Sequence, residues 1–140
     1  MKKLISILLC SLMIFVMVGC GSSKGLEGKW KRTDSSSPLN ETIVEVTKTN
    51  EGYQAAISVL SDKAKALGYN VGDVKWKDVK ALSEGTWEFK DQGRKVDKSV
   101  TWYDMNLKFD EKSKDKLIAN DVASNGETGS TQTWERVKVC

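Results

Sequence analysis

Thr42-Ile43-Val44-Glu45-Val46-Thr47-Lys48-Thr49-Asn50-Glu51-Gly52-Tyr53-Gln54-Ala55-Ala56-Ile57-Ser58-Val59-Leu60 is the stretch whose reading decides the fold. Two alternating segments flank the polar link Asn50-Glu51-Gly52, and so short a link forces them to lie antiparallel. In the second segment Tyr53, Ala55, Ile57 and Val59 share a face. Their small and medium sizes suit the tapered inside of a barrel.

Working outward, the same pattern recurs over 28–33, 42–49, 53–60, 74–82, 86–90, 99–109, 116–123 and 131–139, with one proline in the whole chain. The remaining links are mostly hairpin-sized and polar, such as Ser83-Glu84-Gly85 and 110–115. The exception is 61–68, where Ser61 or Asp62 can cap a short Ala-Lys helix and Gly68 can end it. Residues 73–85 admit two readings, because Trp76, Val79 and Leu82 recur at a spacing of three that also suits a helix. Eight antiparallel strands leave raw edges unless the sheet closes, and a closed sheet of eight has room for side chains or one small ligand. The expectation is an all-β fold: an eight-stranded antiparallel up-and-down β-barrel with a short helix after the third strand. A two-sheet sandwich is the competitor, and it usually needs longer crossing connections than the chain has after Gly85.

All five tryptophans fall in these segments, as Lys29-Trp30-Lys31, Lys75-Trp76-Lys77, Thr86-Trp87-Glu88, Thr101-Trp102-Tyr103 and Thr133-Trp134-Glu135. Strand neighbours point to the opposite face, so each indole projects alone to one side. Core filling is the ordinary use of such residues. Lining a ligand wall is the sharper one. Trp30 and Trp134 lie in the first and last strands, neighbours in a closed barrel, and are assigned to structure. Trp76, Trp87 and Trp102 are the better cavity candidates. In the long strand Tyr103, Met105, Leu107 and Phe109 should face inward, which puts Trp102 outside or at a rim unless a β-bulge near Thr101 re-aims it. The ligand-pocket candidates are Tyr53, Ile57, Trp76, Trp87, Tyr103 and Met105.

The chain opens with Met1-Lys2-Lys3 and an uncharged apolar run, 4–18. That run is short of the roughly 20 residues a permanent membrane helix needs, and it has the layout of a cleaved export signal. Its end, Met17-Val18-Gly19-Cys20, resembles the bacterial lipobox, with Met17 where leucine is usual. The resemblance implies cleavage after residue 19, a diacylglyceryl group on Cys20 and attachment to a membrane surface. Residues 20–25 then form a flexible tether, and 26–140 the folded domain. The expected place is the cell envelope: the outer face of the cell membrane, or the outer membrane where there are two.

Removing 1–19 leaves 121 residues, enough for one domain. Two of the 22 basic residues leave with the leader while all 19 acidic ones stay, so the mature charge is +1. Near-neutral, interspersed charge offers no electrostatic case for nucleic acid. The chain has no histidine, so Ser-His or Cys-His nucleophile systems lack their base, and imidazole metal sites lack their ligands. No cofactor and no metal are expected. Glu84, Glu88, Asp91 and Asp104 are read as solvated charges at strand ends and turns, not as an acid/base pair. Asn40-Glu41-Thr42 has the form of a sequon and is given no role. Cys140 is read as a free terminal thiol, with intermolecular pairing as the alternative.

With the strands placed, Leu26-Glu27-Gly28-Lys29-Trp30 resembles the Gly-x-Trp opening of the lipocalin family, on Gly28 and Trp30 alone. In that family an arginine near the end of the last strand packs over the tryptophan, and Arg136 in Thr133-Trp134-Glu135-Arg136 stands at a suitable place. The resemblance implies that Gly28, Trp30 and Arg136 close the barrel base, as in small bacterial lipocalin-like lipoproteins. The expected function is noncatalytic binding of a small apolar or amphipathic ligand near the membrane. The alternative is a protein-interaction module with a filled barrel, an inhibitor or assembly factor whose protein partner the residues do not name.

Overall fold

The computed structural model describes residues 25–122 and 130–138. The expectations for the leader, the Cys20 anchor, the tether as far as Lys24, and Cys140 lie outside the described residues. Among those described, no helix is long and apolar enough to cross a membrane.

The strands are β1 (Gly28–Arg32), β2 (Ile43–Lys48), β3 (Tyr53–Val59), β4 (Val74–Ser83), β5 (Thr86–Arg94), β6 (Val100–Asp110), β7 (Ser113–Asp121) and β8 (Thr131–Arg136), with one short helix, α1 (Asp62–Ala66), after β3. Each strand pairs antiparallel with the next, and β1 also pairs with β8, so the sheet is a closed up-and-down barrel. Closure uses the same residue on both sides: Trp30 stands opposite Val44 on β2 and opposite Arg136 on β8. No sheet edge is left to pair with another chain.

Alternation places the inward set. Trp30, Val44, Val46, Ala55, Ile57, Trp87, Phe89, Met105, Leu107, Leu117, Ala119 and Trp134 are all buried, as are Arg32 and Gln132, so that each has a fellow two residues away on the same strand. Val59 departs from the expectation and is 48% exposed. Ile43 pairs with Val59 while Val44 pairs with Ile57, so β3 carries an extra residue there and the face reverses.

Within 73–85 the structure has a strand, Val74–Ser83, and two of its irregularities explain why the stretch also reads as a helix. Ala55 pairs with Trp76 and Ala56 with Val74, leaving Lys75 as an extra residue. Lys77 pairs with Lys90 and Lys80 with Glu88, so Asp78 and Val79 together oppose one residue, and Asp78 takes φ +54°. The second bulge lets Trp76 and Val79, three apart, both point inward. Leu82, the third member of that series, is exposed. In contrast, β5 and β6 pair without a break from Thr86↔Lys108 to Arg94↔Val100, so no bulge re-aims Trp102.

The barrel has two distinct ends. At the N-terminal end lie Gly25, Leu26 and the β2–β3, β4–β5 and β6–β7 turns. At the helix end lie the β1–β2 loop, α1 and the β5–β6 turn. The Ser61 side chain accepts from the Ala64 N–H to start α1, and Gly68 at φ +105° follows its end.

Candidate functional site

The middle of the barrel is filled by aromatic rings. Trp76 meets Trp134 edge-on at 5.0 Å and Phe89 at 5.2 Å between ring centroids, while Trp87 meets Phe109 at 5.1 Å. Such tilted and T-shaped pairs are the favoured geometry. Trp76 and Ile57, expected at a cavity wall, belong to the buried core, with 0% and 2% exposure. A groove opens at each of the two ends.

The N-terminal end is locked by Arg136. Its guanidinium lies 4.3 Å from the Trp30 ring, donates Nε–H to Asp115 Oδ1 at 3.0 Å, and donates to the carbonyls of Gly25, Glu27 and Lys114 at 2.8–3.2 Å. Trp30 Nε1–H in turn donates to the Leu26 carbonyl. Gly28, at φ +122°, fits its strained backbone beside Arg136. Next to this lock is a groove of about 660 Å³ whose apolar lining is Leu26, Tyr53, Trp87 and Phe109, rimmed by charged residues such as Lys112 of the β6–β7 turn and Lys114 at the start of β7. Two of the six pocket candidates, Tyr53 and Trp87, meet here.

At the helix end is a cleft of about 370 Å³ with a polar floor. Its centre is the ion pair of Lys75 Nζ with Asp91 Oδ1 at 2.6 Å, both side chains almost fully buried. Lys75 is the extra residue of the first β4 bulge, which turns it inward beside Trp76. Lys75 also donates to the Gln92 carbonyl, Gln132 Nε2–H donates to Asp91 Oδ2 at 2.9 Å, and Trp134 Nε1–H donates to Gln132 Oε1 at 3.2 Å. Burial pushes the Lys75 ammonium below its ordinary value, against the pull of Asp91. Above the pair lies Tyr69, whose ring is 5.4 Å from Lys75 Nζ and 5.7 Å from the Arg94 guanidinium. Burial, with the Asp91 charge adding to it, pushes its phenol upward.

Tyr103 and Met105, two further candidates, line this cleft. Met105 is buried, whereas Tyr103, expected inside, is 48% exposed. Its ring lies across Gly93, where an added Cβ would stand 2.5 Å from Tyr103 Cε2. Trp102 lies on the outer face, with the Lys77 ammonium 3.9 Å from its ring centre.

Asp91 corrects a further expectation. It is not a solvated strand-end charge but 4% exposed inside the barrel, because β5 runs on to Arg94. Lys75, Gln132, Arg32, Tyr69 and Arg94 were not anticipated at all. A signal for Arg32 was present: Trp30-Lys31-Arg32 repeats the spacing of Trp134-Glu135-Arg136, and the two runs pair so that Trp30 faces Arg136 and Arg32 faces Trp134. The Arg32 guanidinium is 5.8 Å from the Trp134 ring, a wider copy of the lock at the other end. Compared with protein-family models, curated proteins and solved structures, the chain matches none of them.

Proposed function

We propose that this chain is a noncatalytic, lipocalin-like lipoprotein of the cell envelope, anchored through Cys20, which holds a small apolar or amphipathic ligand at one end of its barrel. The observation that carries the reading is the groove beside Gly25, with Leu26, Tyr53, Trp87 and Phe109 as an apolar lining under a charged rim. Its volume falls within the range of ligand pockets, roughly 300–1,000 Å³. A tether from Cys20 to Gly25 reaches at most ~18 Å, so the groove opens close to the membrane. The Arg136–Trp30 lock supports the lipocalin likeness, since it joins the residues on which that likeness rests. The reading as a non-enzyme is supported by the way Lys75 and Asp91 are tied to each other and to main chain, with neither left free to attack a substrate.

Native mass spectrometry and solvent extraction of the gently purified full chain test the ligand. A stoichiometric apolar molecule, lost when Trp87 is replaced by Ser, is the expected result. An empty protein whose tryptophan fluorescence no lipid alters would sink the carrier reading. Labelling with a radioactive fatty acid tests the anchor: Cys20→Ala should abolish incorporation.

A second reading, the protein-interaction module, is favoured by the filled aromatic centre and by one surface feature. Leu67, Val71, Val96, Val100 and Val122 are all exposed around the helix end, the end that such a tether would point away from the membrane. Capture of a single partner in fixed ratio, lost with Val96→Asp and Val100→Asp, would favour this use over carriage.

A further inference from the structure

We infer that the helix-end cleft is a second binding site, distinct from the apolar groove, and that it takes a compact carboxylate with a small apolar body. The cleft is built from buried, directed donors. Arg32, 7% exposed, commits its Nε and one Nη2 hydrogen to the two oxygens of Asp34 at 2.7 and 3.0 Å. That leaves the Nη1/Nη2 edge, the paired N–H fork that matches a carboxylate, with no protein partner among the described residues. Lys75 spends two of its three N–H groups on Asp91 and the Gln92 carbonyl. Gln132 uses one of its two amide hydrogens on Asp91. Arg94 gives Nη2 to Asp73 and Nη1 to the Lys98 carbonyl, and its Nε–H is buried without a partner.

Acceptors are fewer: both Asp91 oxygens are already taken, and against these several donors stands Gln92 Oε1, a buried acceptor of the lining without a partner among the described residues. Asp34 and Asp73, which steady the two guanidinium groups, do not line the cleft; among the described residues the carboxylates that line it beside its three cations are Asp91 and the rim residue Asp121. The surplus is therefore of N–H donors, and a ligand that satisfies them brings oxygen acceptors. Size and shape set the rest. Trp134 and Trp76 close the cleft below, so no long chain can enter the barrel axis. Leu39, Met105 and the exposed Tyr103 ring supply an apolar side for a ring or short alkyl group.

Benzoate and its uncharged isostere benzamide are suitable probes, titrated calorimetrically into the full chain in an uncharged detergent while the Trp134 indole N–H is followed by NMR. Benzoate should bind one to one and move the Trp134 resonance. Benzamide should bind about tenfold or more weakly, because charge-assisted hydrogen bonds are the stronger ones. Arg32→Lys, which keeps the charge and removes the fork, should weaken benzoate more than benzamide and so narrow that preference. Should that variant not fold, Tyr103→Ser in the native background should weaken both probes alike. Equal affinity of the two probes would overturn the assignment to a carboxylate. Binding of neither would overturn the site, and the apolar groove, tested by extraction, would be untouched by either result.

Discussion

Replacing Arg136 with Ala tests the argument that the barrel is fastened where its first and last strands meet. The native side chain is 6% exposed and makes four hydrogen bonds besides covering Trp30. Its ion pair with Asp115, whose carboxylate is 43% exposed, contributes little, roughly 0–1 kcal/mol. The carbonyls of Gly25, Glu27 and Lys114 regain water when released, so each bond counts near the lower end of about 0.5–1.5 kcal/mol. The contact with the indole face adds about 1 kcal/mol. Together the loss is about 3 kcal/mol, a large part of the 5–15 kcal/mol typical of a domain, and for one of this size it lowers Tm by about 12 °C. Urea unfolding of the full chain, followed by tryptophan fluorescence, should show a lower midpoint at unchanged m. Arg136→Lys should recover no more than a third of the loss, since an ammonium cannot span three carbonyls and a carboxylate. A variant within about 0.5 kcal/mol of the native protein would refute the claim that this residue fastens the seam.

Three further outcomes follow from other parts of the fold. Lys75→Met leaves Asp91 buried beside Gln132 alone and should cost about 3–5 kcal/mol, whereas Lys75→Met with Asp91→Leu should regain most of it; denaturant midpoints decide, and a double variant no better than the single would count against it. Gly52→Ala should cost more than Gly93→Ala: a Cβ at Gly52 meets the Val79 carbonyl oxygen, which is backbone, whereas at Gly93 it meets the half-exposed Tyr103 ring, which can swing away. The reverse order in urea would contradict the packing described. Tyr69, whose phenol is held above its ordinary 10.0, adds nothing to the pH dependence below that value. Above it the unfolded chain ionises first and binds fewer protons, so stability falls as pH rises. Tyr69→Phe should flatten the fall above pH 10.0, the phenol's ordinary value, and an identical slope in both proteins would show that the phenol is not so buried.

The fold was legible because its periodicity and its links agree. Alternating runs joined by links as short as Asn50-Glu51-Gly52 have almost no freedom but to meander, and the absence of spare chain after Gly85 leaves closure as the way to cover two edges. What misled was a spacing of three at Trp76 and Val79, the local trace of a bulge that single-residue patterns cannot separate from a helical turn. The site was harder to see for a related reason. Lys75 enters the barrel only because a bulge turns it from the outer face, and Asp91 looks like a strand-end charge until β5 is known to extend four residues past Lys90. Buried polar groups depend on three-dimensional partners, here Gln132 and Gln92, which lie on no common stretch of sequence. Tyr53, Trp87, Tyr103 and Met105 were read as large inward side chains, but Tyr103 is half-exposed and the chain divides the four between two ends, with packed rings between them.

The difference between the two ends traces to one antiparallel pairing. A Trp-x-Arg run keeps both side chains on the inner face, and two such runs paired head to tail must send one arginine to each end. The residues are the same; their partners are not. Arg136 finds three main-chain carbonyls and the Asp115 carboxylate converging on it at the N-terminal end, so four of its five N–H donors are consumed and the base is sealed. Arg32 meets a single carboxylate, Asp34, two residues along its own chain, and its other edge faces open space above Trp134. The bulge at Lys75 then adds a second cation to that end, and only one of the floor's charges, Asp91, is set against it. A sealed base and a donor-rich mouth are therefore two results of the same strand pairing, separated by how many acceptors the neighbouring loops bring to each guanidinium.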